Sequence, residues 1–354
     1  MSILGPRTAR RPRLSRALDA VRRAAERRSA LSDARSVLPA AMASLPGSTD
    51  GWSIERASHG GGGISGFLVR TRTDERLMVK VARTPAGQAS LERAAEAQRA
   101  IAGIRALKPW RASLPTVRSD GHAGDWRFVI ETALPGRPLA LPATDDAGWP
   151  EALEGALGAI EGLHRRTAST RPKGDRRARW VDRRIAALSA LGPPMARHDP
   201  GIERALATGL VRISTELGEL AGARAVSAGW IHGDYWSANI LVDDSGSVSG
   251  IVDWDSAGPD ELAAHDVFHL VLYARKLRRR EALGAVVADL LAGSAFEAHE
   301  LAALERAVPP RFAIRTTALL YWLRFVESNL HRQPGLAKSE RWLASNVGAI
   351  VPWL

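Results

Sequence analysis

Between Trp230 and Asp255 a helix-rich sequence is interrupted by WIHGDYWSANILVDDSGSVSGIVDWD, and this interruption constrains the fold more than any other feature. The polar run holding Asp234 and Asn239 lies between the apolar pairs WI and IL, so it forms a loop held at both ends by buried anchors and able to aim its side chains. The DDSG segment is turn chemistry, and it brings the strand-like SGIV back beside ILV as a hairpin. The hairpin places Asp253 next to Asn239. One amide oxygen and one carboxylate make a hard-oxygen site that binds Mg²⁺ incompletely and leaves positions for water and phosphate oxygens. Asp234, beside such a centre, can orient a hydroxyl and take its proton as a phosphoryl group leaves ATP.

The rest of the chain frames this segment. WSIERAS, FLVRTRT and RLMVKVA predict three antiparallel strands, SLERAAEAQRAI a helix from about Ser90 to Ile104, and LPTVRSD and WRFVIET two further strands. Helical patterns follow from Glu151 to His164, Ala178 to Leu191 and Gly201 to Ala221, and again to the C-terminus. The order predicts an α+β protein in unequal parts: a basic arm over 1–48, helical or disordered, a small sheet lobe over 49–134, and a larger helical lobe over 135–354.

Phosphoryl transfer requires a loop over the phosphates and a cation, and both are present. HGGGGISG contains Gly61, Gly63 and Gly66 in G-x-G-x-x-G spacing, with Ser65 inside it, and glycine lets backbone N–H groups approach phosphate oxygens. The dinucleotide version of this pattern opens a helix, whereas FLVRTRT has strand character, which favours the kinase-type loop. Lys80 closes LMVK, the strand position from which a lysine reaches the α and β phosphates. A lysine so placed needs an anion. Glu92 and Glu96 on the next helix both qualify, and helix register favours Glu96.

HGDYWSANIL with IVDWD, preceded by the Gly-rich loop, MVK and ETALPGRPL, resembles the aminoglycoside phosphotransferase and choline kinase family over roughly Trp52 to Tyr273. The resemblance implies a bilobal protein-kinase-like fold. It implies Asp234 as catalytic base, Asn239 and Asp253 as Mg²⁺ ligands, Lys80 as nucleotide-phosphate ligand, and Glu131, Thr132 and Ala133 as the hinge whose backbone holds adenine. His232 is similar to the histidine that braces the catalytic loop, and Asp266 to a structural aspartate that accepts that loop's N–H groups. Two departures stand out: Ser237 and Ala238 replace Pro-Gly before the asparagine, and Ala94 stands near the usual place of the helix glutamate. Asp255 and Asp260 stay open between assisting the metal and accepting backbone bonds.

Composition narrows the remaining classes. Cysteine is absent, which removes disulfides, thiolate metal sites and thiol nucleophiles. No apolar run approaches a membrane span and no secretory signal core is present, so the expectation is a cytoplasmic protein. The net charge of +11 comes almost wholly from arginine, because Lys80, Lys108, Lys173, Lys276 and Lys338 are the only lysines. Leu14, Leu18, Val21 and Ala25 recur at helical spacing among arginines, so the arm could contact nucleic acid or an acidic membrane, against the simpler reading of a solvated tail. His265 and His269 have the i, i+4 spacing of a metal pair without a third ligand, and a packed helix explains them better. No P-loop lysine motif and no G-x-S-x-G elbow occur.

The acceptor is expected to be a small hydroxyl compound, neutral or anionic and sugar-like. The arginine-rich stretches Arg165–Arg184 and Arg311–Arg332 would repel a polycationic aminoglycoside. Tyr321, Trp322 and Phe325 leave a choline-type amino-alcohol kinase as one alternative, although aromatics at helical spacing are more often core. A catalytically silent nucleotide-sensing module is the other.

Overall fold

The computed structural model describes residues 28–45, 51–140, 148–171, 174–196, 200–294 and 296–354. The chain divides into two compact units, Met1–Leu91 with Val117–Ala133, and Glu92–Thr116 with Leu134–Leu354.

In the first unit the strands β1 (Trp52–His59), β2 (Ile64–Thr71), β3 (Arg76–Ala82), β4 (Val117–Ala123) and β5 (Trp126–Thr132) form one antiparallel sheet in the order β1-β2-β3-β5-β4. Side chains alternate across a strand, so Phe67, Val69, Leu77, Val79, Val81, Phe128 and Ile130 share one buried face. Ala34, Val37, Leu38, Ala41 and Met42 cover that face from the helical stretch that includes Leu38–Ala43. The segment expected as an arm over 1–48 therefore contributes core residues from 34 onward. Its amphipathic portion at Leu14, Leu18, Val21 and Ala25 lies outside the described residues. The opposite sheet face carries Lys80, which pairs with Gly66 on one side and Val129 on the other.

Residues 92–116 group with the second unit. Ile101, Leu107, Trp110 and Leu114 are buried in the core of the second unit, and this apolar stripe accounts for the assignment. That core also takes in Trp149, Trp180, Trp254 and Trp322, all buried, among the helices Trp149–Thr167, Pro200–Gly222, Ala264–Arg279 and Ile314–Arg332. The helix expected over 178–191 occurs as a π-turn, Ala178–Asp182, running into Arg183–Ser189. Two small sheets interrupt the helices: β7 (Gly229–Ile231) pairs with β10 (Gly258–Glu261), and β6 (Arg137–Pro138), β8 (Ile240–Val242) and β9 (Val248–Ile251) form the other.

The hairpin β8–β9 has Ile240 opposite Ile251. Its turn is closed by the Asp243 carboxylate, which accepts from Ser245 N at 2.9 Å and Ser247 N at 3.0 Å, with Gly246 at φ +85°. No helix among the described residues is long and apolar enough to cross a membrane.

Candidate active site

The loop leaving β7 is held on several sides. Asp266, fully buried on Ala264–Arg279, accepts from His232 N and Gly233 N, both at 2.8 Å, and contacts His164 Nε2 at 2.8 Å. Burial alone would raise the Asp266 pKa, but His164, His232 and the backbone donor hold it below the usual carboxylate range. His232 Nε2 donates to Val252 O at 2.9 Å while Nδ1 accepts from Asp234 N at 3.3 Å, which fixes the tautomer. Arg324 donates to Gly233 O at 2.8 Å and to Ser256 O at 3.2 Å. Gly233 sits at φ +81°, and a Cβ there would lie 2.0 Å from Ser256 O, so both conformation and space require glycine.

The product of this bracing is the placement of Asp234. Its Oδ1 lies 3.2 Å from His269 Nε2, its Oδ2 3.8 Å from an Arg332 guanidinium nitrogen, and its side chain is 23% exposed. Burial opposes the charged carboxylate, yet His269, Arg332 and His232 outweigh it and hold the pKa well below the usual range. His269 Nδ1 meets the Tyr321 hydroxyl at 2.9 Å, and burial pushes the Tyr321 pKa up.

Asn239, buried at the same loop, donates Nδ2 to Asp234 O at 2.9 Å, which leaves its amide oxygen as the acceptor it can offer. Val252 N donates to Asn239 O at 2.9 Å, so the hairpin sets Asn239 beside the Val252–Asp253 step. Asp253 is exposed and adopts φ +71°, a conformation that aspartate tolerates better than most residues. An amide oxygen with a carboxylate suits a hard cation such as Mg²⁺. Among the described residues no group of three or more His, Cys, Asp or Glu could hold a metal ion. Asp260 serves a structural end, its buried carboxylate being clasped by Arg176 and Arg179, and Asp255 accepts from Ser256 Oγ at 3.2 Å.

In the first unit, the turn Gly61–Gly63 joins β1 to β2, with Gly62 at φ +70° and Gly63 at φ +77°. Thr84 Oγ1 donates to Gly62 O at 2.8 Å, and His59 Nδ1 meets the buried Ser65 Oγ at 2.8 Å. Lys80 Nζ forms an ion pair with Glu131 Oε1 at 2.9 Å. The strand register explains it: Lys80 faces Val129, and Glu131, two residues on, projects from the same face as its diagonal neighbour. Glu92 and Glu96, the expected partners, are exposed on Pro85–Gly103 in a segment grouped with the second unit. Glu131, expected to offer only backbone, thus supplies a carboxylate. Thr132 pairs with Leu77, and Ala133 N donates to Arg76 O at 3.0 Å.

Asp234 also lines a cavity of about 180 Å³ with His269, Tyr273, Lys276, Phe325 and Arg332. Of the aromatics singled out from sequence, Phe325 lines this cavity, whereas Tyr321 and Trp322 are core. Tyr273, Lys276, His269 and Arg332 were not singled out as site residues. Their signal was available: Asp266, His269, Tyr273 and Lys276 recur at three- and four-residue steps, a polar stripe on one helix face. In the arginine-rich stretch before β7, Arg176 and Arg179 pair with Asp260 and Arg184 with Glu261.

The family model for the phosphotransferase enzyme family matches residues 55–304. Among solved structures, a Thermobifida fusca protein assigned as a fructosamine-3-kinase is 16% identical, with a TM-score of 0.55 over 88% of this chain and 98% of that one. Plasmodium vivax ethanolamine kinase is 10% identical, with a TM-score of 0.52 over 87% of this chain and 82% of its own. Both likenesses concern the fold, which is the protein-kinase-like α+β fold. No curated protein matches the sequence.

Proposed function

This chain belongs to the phosphotransferase enzyme family, and from that premise we propose that it transfers the γ-phosphoryl group of ATP to a hydroxyl of a small, neutral or anionic acceptor. The observation that carries this reading is Asp234: a carboxylate kept ionised by its surroundings, at the edge of a cavity, on a loop whose backbone is fixed by Asp266 and His232.

Asp234 accepts the acceptor's hydroxyl proton, the freed oxygen forms a bond to the γ-phosphorus, and the bond from that phosphorus to the β–γ bridging oxygen breaks to release ADP. His269 and Arg332 hold the carboxylate in place and favour its charged form before reaction. Asn239 and Asp253 would hold Mg²⁺, which when bound neutralises phosphate charge. Lys80, steadied by Glu131, is the cation for the nucleotide phosphates, and the Gly61–Gly66 loop offers backbone N–H groups to them. Glu131, Thr132 and Ala133 remain the proposed adenine-side segment.

The cavity disfavours an amino-alcohol or aminoglycoside acceptor. Lys276 Nζ already sits 3.7 Å over the Tyr273 ring, the place a quaternary ammonium would take. The test is Mg²⁺-dependent ADP release across hydroxylated compounds, comparing the native chain with Asp234→Asn. Loss of a general base predicts a fall in kcat of about 10²- to 10⁴-fold. Mg-ATP binding by both proteins with no ADP release on any compound would overturn the reading in favour of a nucleotide-sensing module.

A further inference from the structure

The cavity beside Asp234 is lined on its charged side by Lys276, Arg332 and His269, and Asp234 is the one carboxylate in that lining among the described residues. Lys276 is the informative member. It is half-buried, its ammonium lies over the Tyr273 ring, and among the described residues it makes no salt bridge. Its neighbours on the same helix do otherwise: Arg275 and Arg278 pair with Glu300, and Arg279 pairs with Asp289 at 2.9 Å. An ammonium drawn partly out of water without a counter-ion is costly, whereas Glu300 and Asp289, on other helices, supply carboxylates to Arg275, Arg278 and Arg279. Arg332 is 31% exposed and donates to Ser256 Oγ at 3.1 Å, which uses one of its five N–H groups.

We infer that the acceptor carries an anionic group, a carboxylate or a phosphate, held by Lys276 and Arg332 while its hydroxyl is presented to Asp234. The inference rests on the phosphotransferase reading above and names the substrate class of that same site. Arg332 spans the two functions, being near the Asp234 carboxylate and in the lining together with Lys276. Asn329 donates Nδ2 to Phe325 O at 2.8 Å, so its amide oxygen is the group it can offer to a further hydroxyl. Phe325 and Tyr273 give the carbon skeleton an apolar surface.

The experiment uses two sets of compounds that share a skeleton and differ in charge: glycerol, glycerate, glycerol 3-phosphate and 3-aminopropane-1,2-diol, and glucose, gluconate, glucose 6-phosphate and glucosamine. ADP release and calorimetric binding are measured for the native chain, Lys276→Met, Lys276→Arg and Asp234→Asn. The expected result is a kcat/KM at least tenfold higher for anionic members. Lys276→Met lowers that value about 10- to 100-fold, chiefly through KM, and Lys276→Arg restores the preference. Preference for a neutral compound or an amine, or an anionic preference that survives Lys276→Met, overturns the inference and leaves the phosphotransferase reading in place. ADP release that survives Asp234→Asn overturns the phosphotransferase reading instead. In that event saturable anion binding lost in Lys276→Met still supports the inference, and absence of such binding overturns it.

Discussion

At the scale of single residues, the site depends on environment more than on residue type. Asp234 is one of several aspartates near the hairpin, and it is set apart by what surrounds its carboxylate. Burial would push its pKa up, and His269 and Arg332 reverse the direction. His269→Ala removes the first of these partners and leaves the burial in force, so the Asp234 pKa rises. The acid limb of the kcat/KM profile should then move to higher pH by about one unit or more; an unmoved limb would mean that His269 does not set the charge of the base. Gly233 gives a second, purely steric prediction. With φ +81° and Ser256 O in the way of a Cβ, Gly233→Ala should cost about 2 kcal/mol or more of stability, read by chemical denaturation. A loss under half that value would show that the loop relaxes around the methyl group.

At the scale of elements, the loop between β7 and β8 was legible because its chemistry is local. Asp234 and Asn239 lie five residues apart between apolar anchors, and the turn at Asp243–Ser247 sets Asn239 beside the Val252–Asp253 step, so alternation and turn chemistry suffice to bring these segments together. The ion pair between Lys80 and Glu131 was not legible on the same terms. It depends on strand pairing between β3 and β5, a register that turn and helix signals do not specify. The polar stripe on Ala264–Arg279 was present in the sequence, but its periodicity does not say which side faces a cavity. Asp266 on that stripe carries a prediction about pH. Its pKa is lowered in the folded state, so the stabilisation is complete above the ordinary carboxylate value of about 3.9 and fades as pH falls toward the folded value. Asp266→Asn should cost about 3 kcal/mol at pH 7, because two backbone donors and His164 lose a buried charged acceptor. The gap between variant and native chain, followed by denaturant titration, should narrow below pH 4. A gap that widens with acid would reverse the assignment of Asp266 as an ionised brace.

At the scale of the whole molecule, charge composition does not show which charges and segments packing has already engaged. The arginine excess suggested a basic arm over 1–48 and a repellent floor over 165–184, yet Arg176 and Arg184 are buried in ion pairs and residues from 34 onward form part of the sheet's core. Composition counts charges without saying which are already neutralised by a neighbour. The consequence is practical, since removing residues 1–48 is the natural experiment for nucleic-acid binding by the arm. That deletion also strips Ala34, Val37, Leu38, Ala41 and Met42 from Phe67, Val69, Leu77 and Val79, exposing the apolar face of the sheet. A loss of binding after it would therefore report unfolding of the first unit as readily as loss of basic contacts. Leu38, fully buried, separates the two. Leu38→Ala leaves every arginine in place and should cost about 2–5 kcal/mol, lowering the unfolding temperature by roughly 4–20 °C at about 2–4 °C per kcal/mol. If Leu38→Ala unfolds at the native temperature, the helical stretch is not holding the sheet, and residues 28–45 revert to the detachable arm that their charge suggests.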